Sequence, residues 1–209
     1  PNAVDCLEKV KTEALQFHLY DNYFRSIAFL LRVHSERLDF AKHESLIREV
    51  LQVGSSLTGY ARYLPKLHYN QGIAAVYKQD RVEALARFSE AKRLLDTLLA
   101  DASLGERERE EAMRDSLTAR YSLAMLEKDE GRPALALTQA SQLLKEIEEL
   151  NHGAHALEHI QLYDVESNLM ILEGQCHRLL GEYNKALDRY WAAHGILKAH
   201  RNWSHYYYV

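Results

Sequence analysis

Histidine is the residue type here with the most chemistry to offer, and the chain holds eleven. His152, His155 and His159 gather beside Glu158. His155 and His159 are four apart and would share one helix face, a spacing that can hold zinc. The run reads His-Ala-Leu-Glu-His, however, without the glutamate next to the first histidine that a metalloprotease helix carries, and no cysteine is near. A polar helix start accounts for it better than a metal site. His177 follows Glu173 by four residues and reads as a helix-face pair. Cys6 and Cys176 stand far apart in no motif, so they read as small buried hydrophobes and not as a disulfide framework. There is no nucleophile elbow, phosphate loop or dinucleotide fingerprint. The expectation is therefore a protein that is not an enzyme and carries no cofactor and no metal.

The elements that must position any site are helices. Leu, Ala, Glu, Lys, Arg and Gln dominate, all strong helix formers, and proline occurs three times. Apolar residues recur at three- and four-residue steps, as in Ala84, Leu85, Phe88, Ala91, Leu95 and Leu98, and again in Tyr183, Ala186, Leu187, Tyr190, Ala193 and Leu197. Each such stripe faces charges on the opposite side, the mark of a helix packed on one face. The pattern predicts helices over 3–19, 22–37, 40–54, 65–79, 82–101, 106–129, 133–151, 155–179 and 183–200. Gly54, Gly59, Gly105 and Gly153 mark longer junctions, and Gly131 and Gly181 mark tight turns. Ser103-Leu104-Gly105-Glu106 reads as a capping box.

Composition narrows the function classes. Hydrophobic residues make up 47% and charged residues 27% over 209 residues, with a net charge of −4. That balance gives no reason to expect nucleic acid or a membrane surface as partner. No apolar run approaches the roughly 18 residues of a membrane span. The cytoplasm is the expected location. The chain starts Pro1-Asn2 and ends Tyr206-Tyr207-Tyr208-Val209, which reads as a fragment of a longer protein.

One spacing recurs. Gly72 is followed twelve residues later by Ala84, then by Phe88 and Ala91; Gly174 is followed in the same way by Ala186, Tyr190 and Ala193; Ala124 is followed by Ala136, Ala140 and Leu143. Two antiparallel helices approach closely only where small side chains face each other, and a large ring one turn on fills the space behind. With Gly181-Glu182-Tyr183 opening a second helix, this pattern resembles the tetratricopeptide (TPR) repeat. Candidate repeats are 168–200, 66–98 and 118–150, with a degenerate copy at 25–57 where Asp39-Phe40 matches the turn and His43 replaces the alanine. The anchors His43, Ala84, Ala136 and Ala186 lie 41, 52 and 50 residues apart, against roughly 34 in the standard repeat. Pro65 and Pro133 fall in this register at the first positions of helices, where proline is tolerated. The resemblance implies an all-α fold, a right-handed superhelical stack of antiparallel hairpins forming a single domain over 1–209.

The resemblance also implies where function sits: a concave face lined by the first helix of each hairpin. Carried onto this sequence it gives sixteen positions: Arg25, Ala28, Arg32 and Ser35; Lys66, Tyr69, Ile73 and Val76; Thr118, Tyr121, Met125 and Lys128; and Asn168, Ile171, Gln175 and Arg178. Five are basic and none acidic, whereas 30 acids in 209 residues would place about two there by chance. Arg25, Arg32, Lys66, Lys128 and Arg178 supply charge, Tyr69 and Tyr121 aromatic contact, and Gln175 a polar group. The expected role is a protein- or peptide-binding scaffold, a regulatory module of a signalling protein, with an acidic or carboxylate-bearing segment as the favoured ligand. Self-association is the alternative. Trp203 and Tyr206 to Val209 would either pack on 183–200 or serve as the edge of a homodimer.

Overall fold

A computed structural model describes residues 3–152 and 160–200. All regular elements among them are helical. They fall into two compact units, Pro1–Leu98 and Leu99–Val209. The first holds α1 (Ala3–Gln16), α2 (Tyr20–Glu36), α3 (Phe40–Val53), α4 (Tyr60–Tyr77) and all but the last residue of α5 (Arg81–Leu99), with a 3-10 turn at Gly54–Ser56. The second holds α6 (Glu106–Asp129), α7 (Pro133–His152), α8 (Tyr163–Leu179) and α9 (Tyr183–Ala199). None of the described helices is long and apolar enough to cross a membrane.

Five turns use one backbone solution. His18, Leu38, Gln79, Gly131 and Gly181 all take the left-handed conformation. The N–H of the next residue then donates five residues back: Leu19 to Ala14 at 2.8 Å, Asp39 to His34 at 2.8 Å, Asp80 to Ala75 at 2.9 Å, Arg132 to Glu127 at 3.0 Å and Glu182 to His177 at 2.8 Å. This is a Schellman closure, which satisfies carbonyls left over at a helix end and reverses the chain within two residues. Asp39 and Asp80 then cap the following helices, accepting from the N–H groups of Lys42 and Glu83.

In the first unit the core gathers Tyr23, Phe24, Ile27, Leu30 and Leu31 of α2 with Ala14 of α1, Leu46, Ile47 and Val50 of α3 and Leu67 of α4. Lys11 pairs with Glu49 at 2.8 Å and the Tyr23 hydroxyl donates to the same carboxylate at 3.3 Å, tying α1, α2 and α3 together. In the second unit, Leu117 and Ala124 of α6 meet Ala136, Ala140, Leu143 and Ile147 of α7 and Leu162, Val165, Leu169, Leu172 and Cys176 of α8.

Small residues sit where the spacing puts them. Ala84, Ala136 and Ala186 are buried. A Cβ added at Gly72 would lie 2.5 Å from the Phe88 ring, and one at Gly174 would lie 2.5 Å from the Tyr190 ring. A side chain at either place would have to displace the ring of the second helix, which rests on the backbone of the first.

Several boundaries differ from the sequence reading. α4 starts at Tyr60, so Pro65 lies inside the helix and not at its first position. Tyr60, Tyr63 and Leu64 pack on the first unit's core, with Tyr63 stacked on Phe24 at 4.6 Å, and that burial extends the helix upstream. It offsets the roughly 3 kcal/mol or more that an interior proline costs. Pro133 does open α7. The cap of α6 is Gly105, whose N–H donates to Glu108 at 3.3 Å, while Ser103 bonds to Asp101 instead. α8 begins at Tyr163, not 155.

Candidate functional site

The first unit brings α2 and α4 side by side. Arg25 and Arg32 are exposed on α2, and Lys66 and Tyr69 are half-buried on α4. Arg32 pairs with Glu36 one turn on, at 3.0 Å. Arg25 bonds the Tyr63 hydroxyl, which also faces Asp21, and burial raises the Tyr63 pKa. Lys66 lies over the Tyr63 ring, 5.8 Å from its centre. Tyr69 contacts Phe88 with ring centres 5.4 Å apart, so it is partly committed to its own hairpin. Between the helices runs a crevice of ≈10 Å³ lined by Phe24, Ala28, Leu31, Tyr63 and Lys66, too small to hold more than about one water. Ser35, expected on this face, is buried and donates to the Leu31 carbonyl at 2.9 Å.

The second unit pairs α6 with α8 in the same way. Lys128 of α6 donates to the Gln175 side chain of α8 at 2.8 Å, joining two residues that stand 47 apart in the chain. Lys128 also lies 3.1 Å from Asp129. Tyr121 is half-buried, with its hydroxyl 3.9 Å from the Met125 sulfur. Arg178 is exposed in the last turn of α8, where a cation complements the helix dipole. Ile171, also expected on this face, is buried. The structure therefore brings Lys128 and Gln175 together, leaves Arg178 exposed and holds Lys66 half-buried. Arg32 and Lys128 each have a carboxylate alongside, which reduces the positive bias read from residue types alone.

His177, Glu173 and Cys176 are tied into the packing of the second unit. His177 pairs with Glu182 at 2.6 Å, not with Glu173, because the Gly181 turn folds Glu182 back over the helix end. Glu173 is buried instead, accepting from Ser141 of α7 and lying 3.0 Å from Arg189 of α9. Cys176 is buried, and loss of solvent pushes its thiol pKa up to about 11, so it is a poor nucleophile. Cys6 is exposed on α1, contrary to the expected burial. No described cluster of three or more His, Cys, Asp or Glu residues could hold a metal. His155, His159 and Glu158 lie outside the described residues, as do Trp203 and Tyr206 to Val209.

The larger depression in the first unit, ≈330 Å³, lies away from the candidate face. His43, Glu44, Arg48, Gln71, Lys78 and Asp80 line it. Lys78 pairs with Glu44 at 2.8 Å and holds that carboxyl below the usual carboxylate range. No motif marked these residues. The only signal was His43 standing where alanine was expected.

No family model and no curated protein matches this sequence. Among solved structures, the chain is similar to the crystal structure of BtubC (BKLC) from P. vanneervenii, at 16% identity over 97% of this chain and 94% of that one, with a TM-score of 0.48. That likeness says nothing about what this chain binds.

Proposed function

We propose that this chain is a protein- or peptide-binding scaffold whose hairpins stack in the manner of TPR repeats, with the face of the first helices as its binding surface. One observation carries the reading: within each unit the expected face is half-buried along one helix, at Lys66, Tyr69, Ile73 and Val76 of α4 in the first and at Thr118, Tyr121, Met125 and Lys128 of α6 in the second. Core residues would be fully covered, and a purely solvated face would be polar and open. In each unit, a helix face that mixes aromatic, aliphatic and basic groups at intermediate exposure suits a ligand segment that completes its burial.

The ligand that this face favours is an acidic segment. On the first unit Arg25, Arg32 and Lys66 would offer charge-assisted hydrogen bonds to carboxylates beside Tyr69, and on the second Lys128 and Arg178 would do so beside Tyr121. The cytoplasm and a signalling setting fit such a module.

A fluorescein-labelled peptide alternating Glu or Asp with Leu tests this by anisotropy. Binding is expected to weaken at 0.5 M salt, since the screening length falls to roughly 4–5 Å. The double variant Lys66→Glu, Arg178→Glu is expected to abolish it. Affinity unchanged by that variant ends the acidic-ligand reading.

A further inference from the structure

The last described helix carries a face that no described residue of its unit covers. α9 buries Ala186, Ala193 and Leu197 and turns Leu187 and Trp191 outward, 55% and 63% exposed. His194 meets the Trp191 ring edge-on at 5.5 Å. One turn beyond Trp191 lies Gly195, and a Cβ built there would touch nothing within 4 Å. That contrasts with Gly72 and Gly174, where a ring of the partner helix occupies the space. Glycine inside a helix costs about 1 kcal/mol relative to alanine, and no contact inside the described unit calls for it at Gly195. By the logic of the other two, Gly195 marks the place where a ring from outside the described residues comes to rest.

We infer that α9 is a docking face for α9 of a second copy, packed antiparallel about a two-fold axis near Ala193. In that register the Trp191 ring of each copy lies level with Gly195 of the other. Asp188 of each lies level with Lys198 of the other, so opposite charges share the flanking layers. Leu187 adds apolar area beside them. A two-fold pair is self-complementary, so one glycine and one ring per chain create two ring-on-backbone contacts. Exposed tryptophan is also the side chain that most often anchors an interface. The face is separate from the α6–α8 groove positions, so its failure would leave the groove reading untouched.

Sedimentation velocity on the full chain from roughly 1 to 100 μM reads the outcome. A monomer–dimer equilibrium is expected. Trp191→Ala and Gly195→Leu should each raise the dimer dissociation constant about tenfold or more, with the helical circular dichroism unchanged. Asp188→Lys should weaken the dimer and the added Lys198→Asp should restore it, which fixes the register. A chain that stays monomeric throughout overturns the inference. So does a dimer indifferent to Gly195→Leu, or a charge swap that gives no rescue.

Discussion

His34 of α2 and His43 of α3 are buried, and each has one ring nitrogen, Nδ1 of His34 and Nε2 of His43, with no hydrogen-bond partner among the described residues. Burial lowers both pKa values from the ordinary 6.5. Asp39, 3.8 Å from His34, pulls the other way but does not outweigh the loss of solvent. Lys78 adds to the lowering at His43, and the Asn70 carbonyl opposes it. Both rings are thus neutral in the folded protein at pH 7. As the pH falls through 6.5, the unfolded chain takes up protons before the folded one does, so folding stability drops. Above that value the contribution is complete. Urea midpoints for the first unit should therefore fall between about pH 7.5 and pH 5.5. His34→Gln and His43→Gln together should flatten that slope, even if both lower stability at neutral pH. A slope unchanged in the double variant would show that other groups set it.

At the scale of elements, the turns account for much of the architecture. Gly131 and Gly181 were legible because glycine adopts the left-handed conformation without a Cβ clash. His18, Leu38 and Gln79 take the same conformation without that advantage, and residue type does not mark them. At such positions an L side chain costs about 1–2 kcal/mol. Leu38→Gly should therefore stabilise the first unit by up to about 1 kcal/mol after glycine's own entropy cost. Thermal melts would show a higher midpoint, and a lower one would mean that the Leu38 side chain contributes packing. The helix stripes were legible because apolar spacing reports burial directly. The start of α4 was not, because the sequence places proline where a boundary is plausible, and only the packing of Tyr60 and Tyr63 on Phe24 shows that the helix begins earlier. The candidate face was legible as residue types and only partly as geometry. Ser35 and Ile171 followed the register yet turned inward, and Arg32 and Lys128 drew neighbouring carboxylates that a list of basic residues omits.

At the scale of the molecule, both units rest on the same packing device: rods brought close by Gly or Ala, with a ring from the next rod laid over the gap. The device leaves one face of the first helices half-covered, which is the proposed binding surface, and leaves the α9 face with a bare glycine. Unfolding of two single variants in the second unit, Gly174→Ala and Gly195→Ala, tests this most directly. The added methyl is the same in each case, and so is the gain in helix propensity. At Gly174 the methyl meets the Tyr190 ring and should cost about 1–3 kcal/mol. At Gly195 it meets nothing in the unit, and at dilute concentration it should add up to about 1 kcal/mol. Opposite signs are the predicted result. If Gly174→Ala is as stable as Gly195→Ala, the helices are not held by close approach at Gly174, and the account of the fold fails with it.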